Sequence, residues 1–299
     1  MIKTGIYGPT EPVSPLRKQL LRLLLRHPDI DLRSVACDGS AASGRKLADI
    51  HPVYTGETDL RLEPKLTDGP LDVIFVIDRE NLTDEILDRF HSDPNLRIIA
   101  LGYGDDMRRN MPGGFEYGFA EWNRKVLVRG ARAAVSPTPQ ALLLETALFP
   151  LAKNFMLGDE VDAIITGRSD EAKVAEAERT LSAIQGGKDV RIMCQGSPEA
   201  TFQRIDLRVS MESNLSVEEV KAAYDKAYED HSFVYTVAGS DGIEEDLRGS
   251  NKCLLQIYRT GSRLNVNATM DTLTRGTAGN AVHLMNLLFG LHERTGLSI

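Results

Sequence analysis

The chain has 299 residues and a formal charge of −8, with 42% hydrophobic, 26% charged and only 6% aromatic residues. That is an ordinary globular composition, long enough for two domains. Lys and Arg are scattered among carboxylates, which argues against a nucleic-acid partner, since phosphate binding needs a concentrated basic stripe.

No apolar run approaches the roughly 20 residues that span a bilayer, so no membrane partner is expected. The start, Met1 to Gly5, runs straight into a strand pattern without the apolar core of a secretory signal, and a cytoplasmic protein is expected. Cys37, Cys194 and Cys253 lack metal-ligand spacing; free thiols and no metal site are expected.

In chain order, Ile2 to Tyr7 predicts a strand, Gly8 to Pro15 a Gly/Pro/Ser-rich loop, and Leu16 to Arg26 a leucine-rich helix stopped before His27-Pro28. Then come a strand over Leu32 to Cys37, a short helical stretch over Ala42 to Asp49, a buried strand over Val73 to Ile77, a helix over Thr83 to Phe90 and a strand over Arg97 to Leu101. Strands alternating with helices predict a Rossmann-like, doubly wound parallel sheet over residues 1–133.

Further on, a helix over Ala141 to Asn154, a strand over Asp162 to Thr166 and a helix over Asp170 to Ile184 are predicted. Strand-like runs follow at Val190 to Cys194, Ile205 to Met211, Phe233 to Val237, Cys253 to Tyr258 and Arg263 to Met270, with a helix over Ser216 to Tyr228 opened by a Ser216/Glu219 capping box. This is an α+β pattern with a mixed or antiparallel sheet over residues 134–270. A last apolar helix is predicted over Ala278 to Glu293.

The most specific text is Asp271 to Leu297, which contains Arg275-Gly-Thr-Ala-Gly-Asn280-Ala-Val and Met285-Asn-Leu-Leu-Phe-Gly290. It resembles the C-terminal signature of the N-acetyl-gamma-glutamyl-phosphate reductase family, relatives of aspartate-semialdehyde dehydrogenase. Gly5-Ile-Tyr-Gly8, the Leu-rich run ending at His27-Pro28, Ser43-Gly-Arg-Lys-Leu47, Asp106-Met-Arg108, Tyr117-Gly-Phe-Ala-Glu121 and Arg248-Gly-Ser-Asn251 fall in the family's order. The resemblance implies a Rossmann-like domain, an α+β domain, and a C-terminal helix, residues 271–299, packing back on the first. It also implies NADPH-dependent reduction of an acyl phosphate to a semialdehyde, as in arginine biosynthesis, through a cysteine thiolate and a histidine. A homo-oligomer, dimer or tetramer, is implied as well; a hetero-oligomer with an intact reductase is a separate reading.

At the family's nucleophile position, in a loop read as Asn-Pro-Gly-Cys, this chain has Ser136-Pro-Thr-Pro139; where the histidine would stand it has Gly196, before Pro198 and Glu199. Neither proline nor glycine attacks a carbonyl or moves a proton. The glycine-rich phosphate loop reads Gly8-Pro-Thr-Glu11-Pro-Val-Ser14, where prolines remove N–H donors and Glu11 adds negative charge. The mismatches fall on site loops while apolar helices and the C-terminal signature agree, so a diverged member that has lost the family's catalysis is expected.

If NADP is still held, the resemblance points to Gly8, Thr10 and Ser14 in the loop, Ser40, Ser43 and Arg45 after the second strand, and Gly279 and Asn280 near the nicotinamide end. Lys46 would assist at a 2′-phosphate and Asp38 at a ribose; a solvated loop is the plainer reading. Arg108 beside Asp106 reads as a carboxylate clamp for substrate or as a surface ion pair. Cys194 reads as a relocated nucleophile of an altered oxidoreductase or as a small buried hydrophobe. His231 and His283 read as acid/base candidates or, for His283 on the terminal helix, as a packing residue.

Overall fold

The computed structural model describes residues 1–8, 14–37, 39, 41–102, 112–158, 160–167, 169–197, 204–239 and 247–299. The chain forms two compact units: residues 1–136 with 277–297, and residues 137–276 with 298–299.

The first unit is a seven-stranded, wholly parallel sheet in the order β3-β2-β1-β4-β5-β7-β6. Its strands are β1 (Ile2–Tyr7), β2 (Ile30–Ala36), β3 (Leu62–Glu63), β4 (Val73–Ile77), β5 (Arg97–Leu101), β6 (Phe115–Tyr117) and β7 (Ala133–Val135). All five residues of β4 are buried, as a central strand covered on both faces requires.

Helix α1 (Pro15–Arg26) begins with Pro15 at its first position, and the Ser14 hydroxyl accepts from Arg17 N at 3.3 Å. Helix α3 (Asp84–Ser92) is capped likewise by Thr83 and buries Ile86 and Phe90 against β4, β5 and β7. The helix expected over Ala42 to Asp49 shrinks to α2 (Leu47–Ile50), because Gly44 takes φ +81° in a turn before it. Helix α4 (Ala120–Val128) and strands β3, β6 and β7 have no counterpart in the sequence reading.

The last helix, α8 (Gly279–Leu288), packs on β5, α1 and α4. It ends five residues before the expected Glu293, since Phe289 caps it and Gly290 turns the chain at φ +66°. The turn is held by Asn286, fully buried, whose Nδ2 donates to the carbonyls of Glu293 (3.0 Å) and Thr295 (2.9 Å). Its Oδ1 pairs with His27 Nε2 at 3.0 Å, while His27 Nδ1 accepts from Asp29 N at 3.2 Å. An accepting Nδ1 fixes a neutral tautomer, with the proton on Nε2.

Burial lowers the pKa of His27, and burial followed by the charges of Arg17 and Lys18 lowers that of His51. Both rings are therefore neutral in the fold while the unfolded chain protonates near pH 6.5. Above that pH their contribution to stability is complete; below it the unfolded state takes up protons first and stability falls as pH drops through the folded values. Urea midpoints at pH 7.5 and 5.5 check this: the lower pH gives the lower midpoint, and His27→Gln shrinks the difference.

The second unit is a six-stranded mixed sheet in the order β11-β12-β13-β10-β8-β9. Its strands are β8 (Glu160–Thr166), β9 (Arg191–Ser197), β10 (Arg204–Glu212), β11 (Val234–Thr236), β12 (Cys253–Thr260) and β13 (Arg263–Asp271). β8 pairs with β9, and β11 with β12, in parallel; the other neighbours are antiparallel. Helices α5 (Pro139–Lys153), α6 (Glu171–Ile184) and α7 (Val217–Tyr228) belong to the same unit.

The capping box forms as read: Glu219 N donates to Ser216 Oγ and Ser216 N to the Glu219 carboxylate. Helix α5 is buried on nearly every side. Pro150 inside it cannot donate to the Thr146 carbonyl, and the Tyr228 hydroxyl from α7 donates there instead, beside a bond from Tyr224 to the Ala147 carbonyl. Among the described residues no helix is long and apolar enough to cross a membrane.

Candidate functional site

In an open parallel sheet, ligands gather at the carboxyl ends of strands where the strand order reverses. In the first unit that point lies between β1 and β4. Gly8 follows β1 at φ +83°, and a Cβ there would meet Asn81 Nδ2 and the Ile77 carbonyl, each at 2.6 Å. Asn81 Nδ2 itself donates to Ile77 O at 2.7 Å. After β4, Asp78 takes φ +62°, and its carboxylate lies against Gly102 after β5. A non-glycine residue in the left-handed region is strained backbone, a feature that clusters at functional sites.

Arg17, wholly buried on α1, hydrogen-bonds Cys37 at the end of β2. Ser43 and Arg45 are exposed; Arg45 Nη2 donates to the Asp49 carbonyl at 3.0 Å and Lys46 pairs with Asp59 at 2.7 Å. Thr10, Glu11, Asp38, Ser40, Asp106, Arg108, Pro198 and Glu199 lie outside the described residues.

Gly279 and Asn280 open α8 and are buried; Asn280 Nδ2 donates to Ser136 Oγ at 2.9 Å and to the Gly118 carbonyl at 3.4 Å. That amide therefore ties α8 to the end of β7. His283 is buried with its Nε2 3.0 Å from Glu293 Oε2, and Glu293 also meets Arg124.

In the second unit, α5 starts at Pro139, two residues earlier than expected, with Thr138 as its N-cap. The carboxylate of Glu176, 0% exposed on α6, accepts from Thr138 N at 3.2 Å and from Thr138 Oγ1 at 2.9 Å. A helix N-terminus carries about half a positive charge, and here a buried carboxylate already meets it. Gln140 Oε1 accepts from Asp170 N at 3.2 Å, joining the same end of α5 to the start of α6. Gly276 lies close enough to Pro139 that a Cβ there would stand 3.1 Å from the proline's Cβ.

Cys194 sits in the middle of β9 rather than at a strand end, opposite Ala163 of β8. Burial pushes its thiol pKa up, against a smaller lowering from its hydrogen bond with Ser169. Gly196 is on the same strand, two residues on. His231 donates its backbone N–H to the Tyr228 carbonyl and its ring stands edge-on to Tyr228. Among the described residues no group of three His, Cys, Asp or Glu side chains is placed to hold a metal ion.

Glu176 and Asn81 went unremarked in the sequence, and Asp78 drew notice only within the run Ile77-Asp-Arg-Glu80, as a departure from the family's turn after that strand. The only signal for Glu176 was its place beside Val174, Ala177 and Leu181, the buried stripe of α6.

No family model matches the chain. N-acetyl-gamma-glutamyl-phosphate reductases of Parabacteroides distasonis and Bacteroides thetaiotaomicron are each 29% identical to it, over 326 and 329 residues, covering all of this chain and 98% of each relative. The chain is similar over its whole length to N-acetyl-gamma-glutamyl-phosphate reductases. Solved structures agree in fold. The aspartate semialdehyde dehydrogenase with NADP from Candida albicans superposes with a TM-score of 0.69 at 15% identity, covering 96% of this chain and 98% of that one. Aspartate semialdehyde dehydrogenase II complexed with ASA from Vibrio cholerae gives 0.67 at 13% identity, covering 97% and 98%. Within that similarity, the chain carries Pro139 and Gly196 at the positions the resemblance gives to nucleophile and histidine.

Proposed function

We propose that this protein is a diverged paralogue of the N-acetyl-gamma-glutamyl-phosphate reductases that does not reduce an acyl phosphate and acts as a binding or regulatory subunit. The observation that carries this reading is the start of α5. A nucleophilic thiolate and a phosphorylated substrate both need uncompensated positive potential there. Instead Pro139 takes the first helical position and the Glu176 carboxylate accepts from Thr138. An acyl phosphate brought to this helix end would find the Thr138 donors already taken by Glu176. The alternative, an active oxidoreductase that uses Cys194, is disfavoured by the raised pKa of that thiol, which holds it in the weakly nucleophilic protonated form.

A nicotinamide dinucleotide fits the described residues poorly. Asn81 fills the space beside Gly8 where a Cβ would stand, Asp78 adds a carboxylate at the same strand ends, Pro15 offers no N–H, and Lys46 is paired with Asp59. No step is therefore assigned to NADP. Calorimetric titration with NADPH and, separately, NADH tests this: no saturable heat up to millimolar cofactor is expected, and tight binding of either would overturn it.

For a partner we assign a second copy of this chain, seated on the face of the six-stranded sheet that exposes Ile164 (48%) and Met193 (61%). Asp162, Glu212 and Arg263 form an ion-pair cluster on the same face. Both signs of charge around apolar residues suit an isologous contact, in which acids meet bases twice. Light scattering should give a dimer mass, and Ile164→Glu with Met193→Glu should give a monomer; capture of an intact reductase in place of a second copy would move the assignment to a mixed oligomer.

A further inference from the structure

The two sheets end on four edge strands, and among the described residues these differ in length: β3 has two residues, β6 and β11 three each, and β9 seven. A short edge offers too few backbone groups for another chain to pair with, which is one way a fold protects it. β9 lacks that protection. It also holds no proline, and its one charged residue, Arg191, stands at its first position.

β9 pairs with β8 in parallel along its whole length. Ile192 N donates away from that ladder, to Glu178 Oε1 of α6 at 2.7 Å. Alternate residues of a strand turn both backbone groups to the same side, so the Ile192 carbonyl and the N–H and C=O groups of Cys194 and Gly196 also face outward. None of these outward groups is hydrogen-bonded among the described residues.

We infer that the free edge of β9 takes β9 of a second copy, antiparallel, about a twofold axis through Cys194, so that two six-stranded sheets run on as one. In this register Cys194 exchanges both its backbone bonds with Cys194 of the second copy, and each Gly196 N–H meets the Ile192 carbonyl across the axis. Ile192 N–H stays with Glu178. Opposite it stands Gly196 of the second copy, which has no side chain to strike that carboxylate. On the other face Met193 lies opposite Gln195, and Arg191 opposite Ser197, of the second copy, so no like charges meet. Met193 (61% exposed) and Ile164 of β8 (48%) then join their counterparts in one apolar strip across the axis. A foreign strand needs none of these matches; the glycine opposite Glu178 and the uncharged pairs are what favour a second copy.

This edge contact is separate from the face contact proposed above, and weaker. One strand pair buries less than the roughly 1,200 Å² of a standard interface, so a dissociation constant on the order of 100 µM is expected, and dilute protein shows the face contact alone.

Disulfide trapping tests the register. Cys37 and Cys253 are buried, and Cys194→Ser removes the remaining thiol. In that background Arg191→Cys with Ser197→Cys sets cysteines opposite each other at non-hydrogen-bonded positions, about 4.5 Å between Cα atoms and within disulfide range. Oxidised glutathione should convert the double variant, at roughly 300 µM protein, to a covalent dimer on a non-reducing gel. Either cysteine alone should stay unlinked, because its counterpart lies six residues along the strand, about 20 Å away. Ile164→Glu, which weakens the face contact, should leave the link intact. Gly196→Glu, at an exposed position, sets a carboxylate beside Glu178 of the second copy and should cut the yield about tenfold or more. Cys194→Pro removes an N–H that β8 does not use and should weaken association about tenfold or more in sedimentation equilibrium. No link in the double variant, equal linking in the single variants, or a yield unchanged by Gly196→Glu would each overturn the inference. Blocking of the link by an unrelated Thr-Val heptapeptide as well as by the Arg191–Ser197 heptapeptide would show that any extended strand is taken, and would overturn the choice of a second copy.

Discussion

Replacing Glu176 by Ala is expected to lower the unfolding free energy by about 3 kcal/mol, the range for removing a buried partner of charge-assisted hydrogen bonds. The carboxylate accepts from both the N–H and the hydroxyl of Thr138, and its loss leaves the first donors of α5 buried without an acceptor. Glu176→Gln keeps one accepting oxygen and should cost about half as much. Urea denaturation of the three proteins checks the order. A parent-like midpoint for the alanine variant would show that the helix end does not depend on this carboxylate, and would weaken the electrostatic case against catalysis there.

Asn286→Leu is expected to cost about 4 kcal/mol, near the upper range for single substitutions. Leucine is similar in size, so little packing is lost. What is lost is every hydrogen bond of the amide, which strands His27 Nε2 and the carbonyls of Glu293 and Thr295. These contacts fasten the turn after α8 to the end of α1, so limited proteolysis should cut the variant in residues 291–297 while the parent resists. Thermal unfolding supplies the magnitude. A variant within about 1 kcal/mol of the parent would mean that water replaces the amide.

The strands that form the centre of the first sheet were legible because a strand buried on both faces reads as a continuous apolar run, as Val73–Ile77 does throughout and β5 does from Ile98 to Leu101. Three-residue strands such as Ala133–Val135 give no period to detect, and α4 lacks a capping side chain at Phe119. The stretch Ala42 to Asp49 has helical composition, yet the turn at Gly44 overrides it. At the site, Pro139 was legible as a residue type that cannot do the family's chemistry. The partner that explains the place it occupies was not, because Glu176 lies 38 residues from Thr138 in a helix whose charged residues read as solvated. At Asp78 the change of residue type was legible but its strained φ was not, being a property of the folded backbone.

The loss of the family's reaction is tested most directly by turnover in the reverse direction, with the purified protein, N-acetylglutamate semialdehyde, inorganic phosphate and NADP, followed by absorbance of the reduced cofactor. An intact reductase serves as the positive control. With Pro139 at the start of α5 and Glu176 against it, the expected result is a rate equal to that without protein. Phosphate-dependent formation of NADPH that scales with protein concentration would contradict the account, whether or not it survives Cys194→Ala.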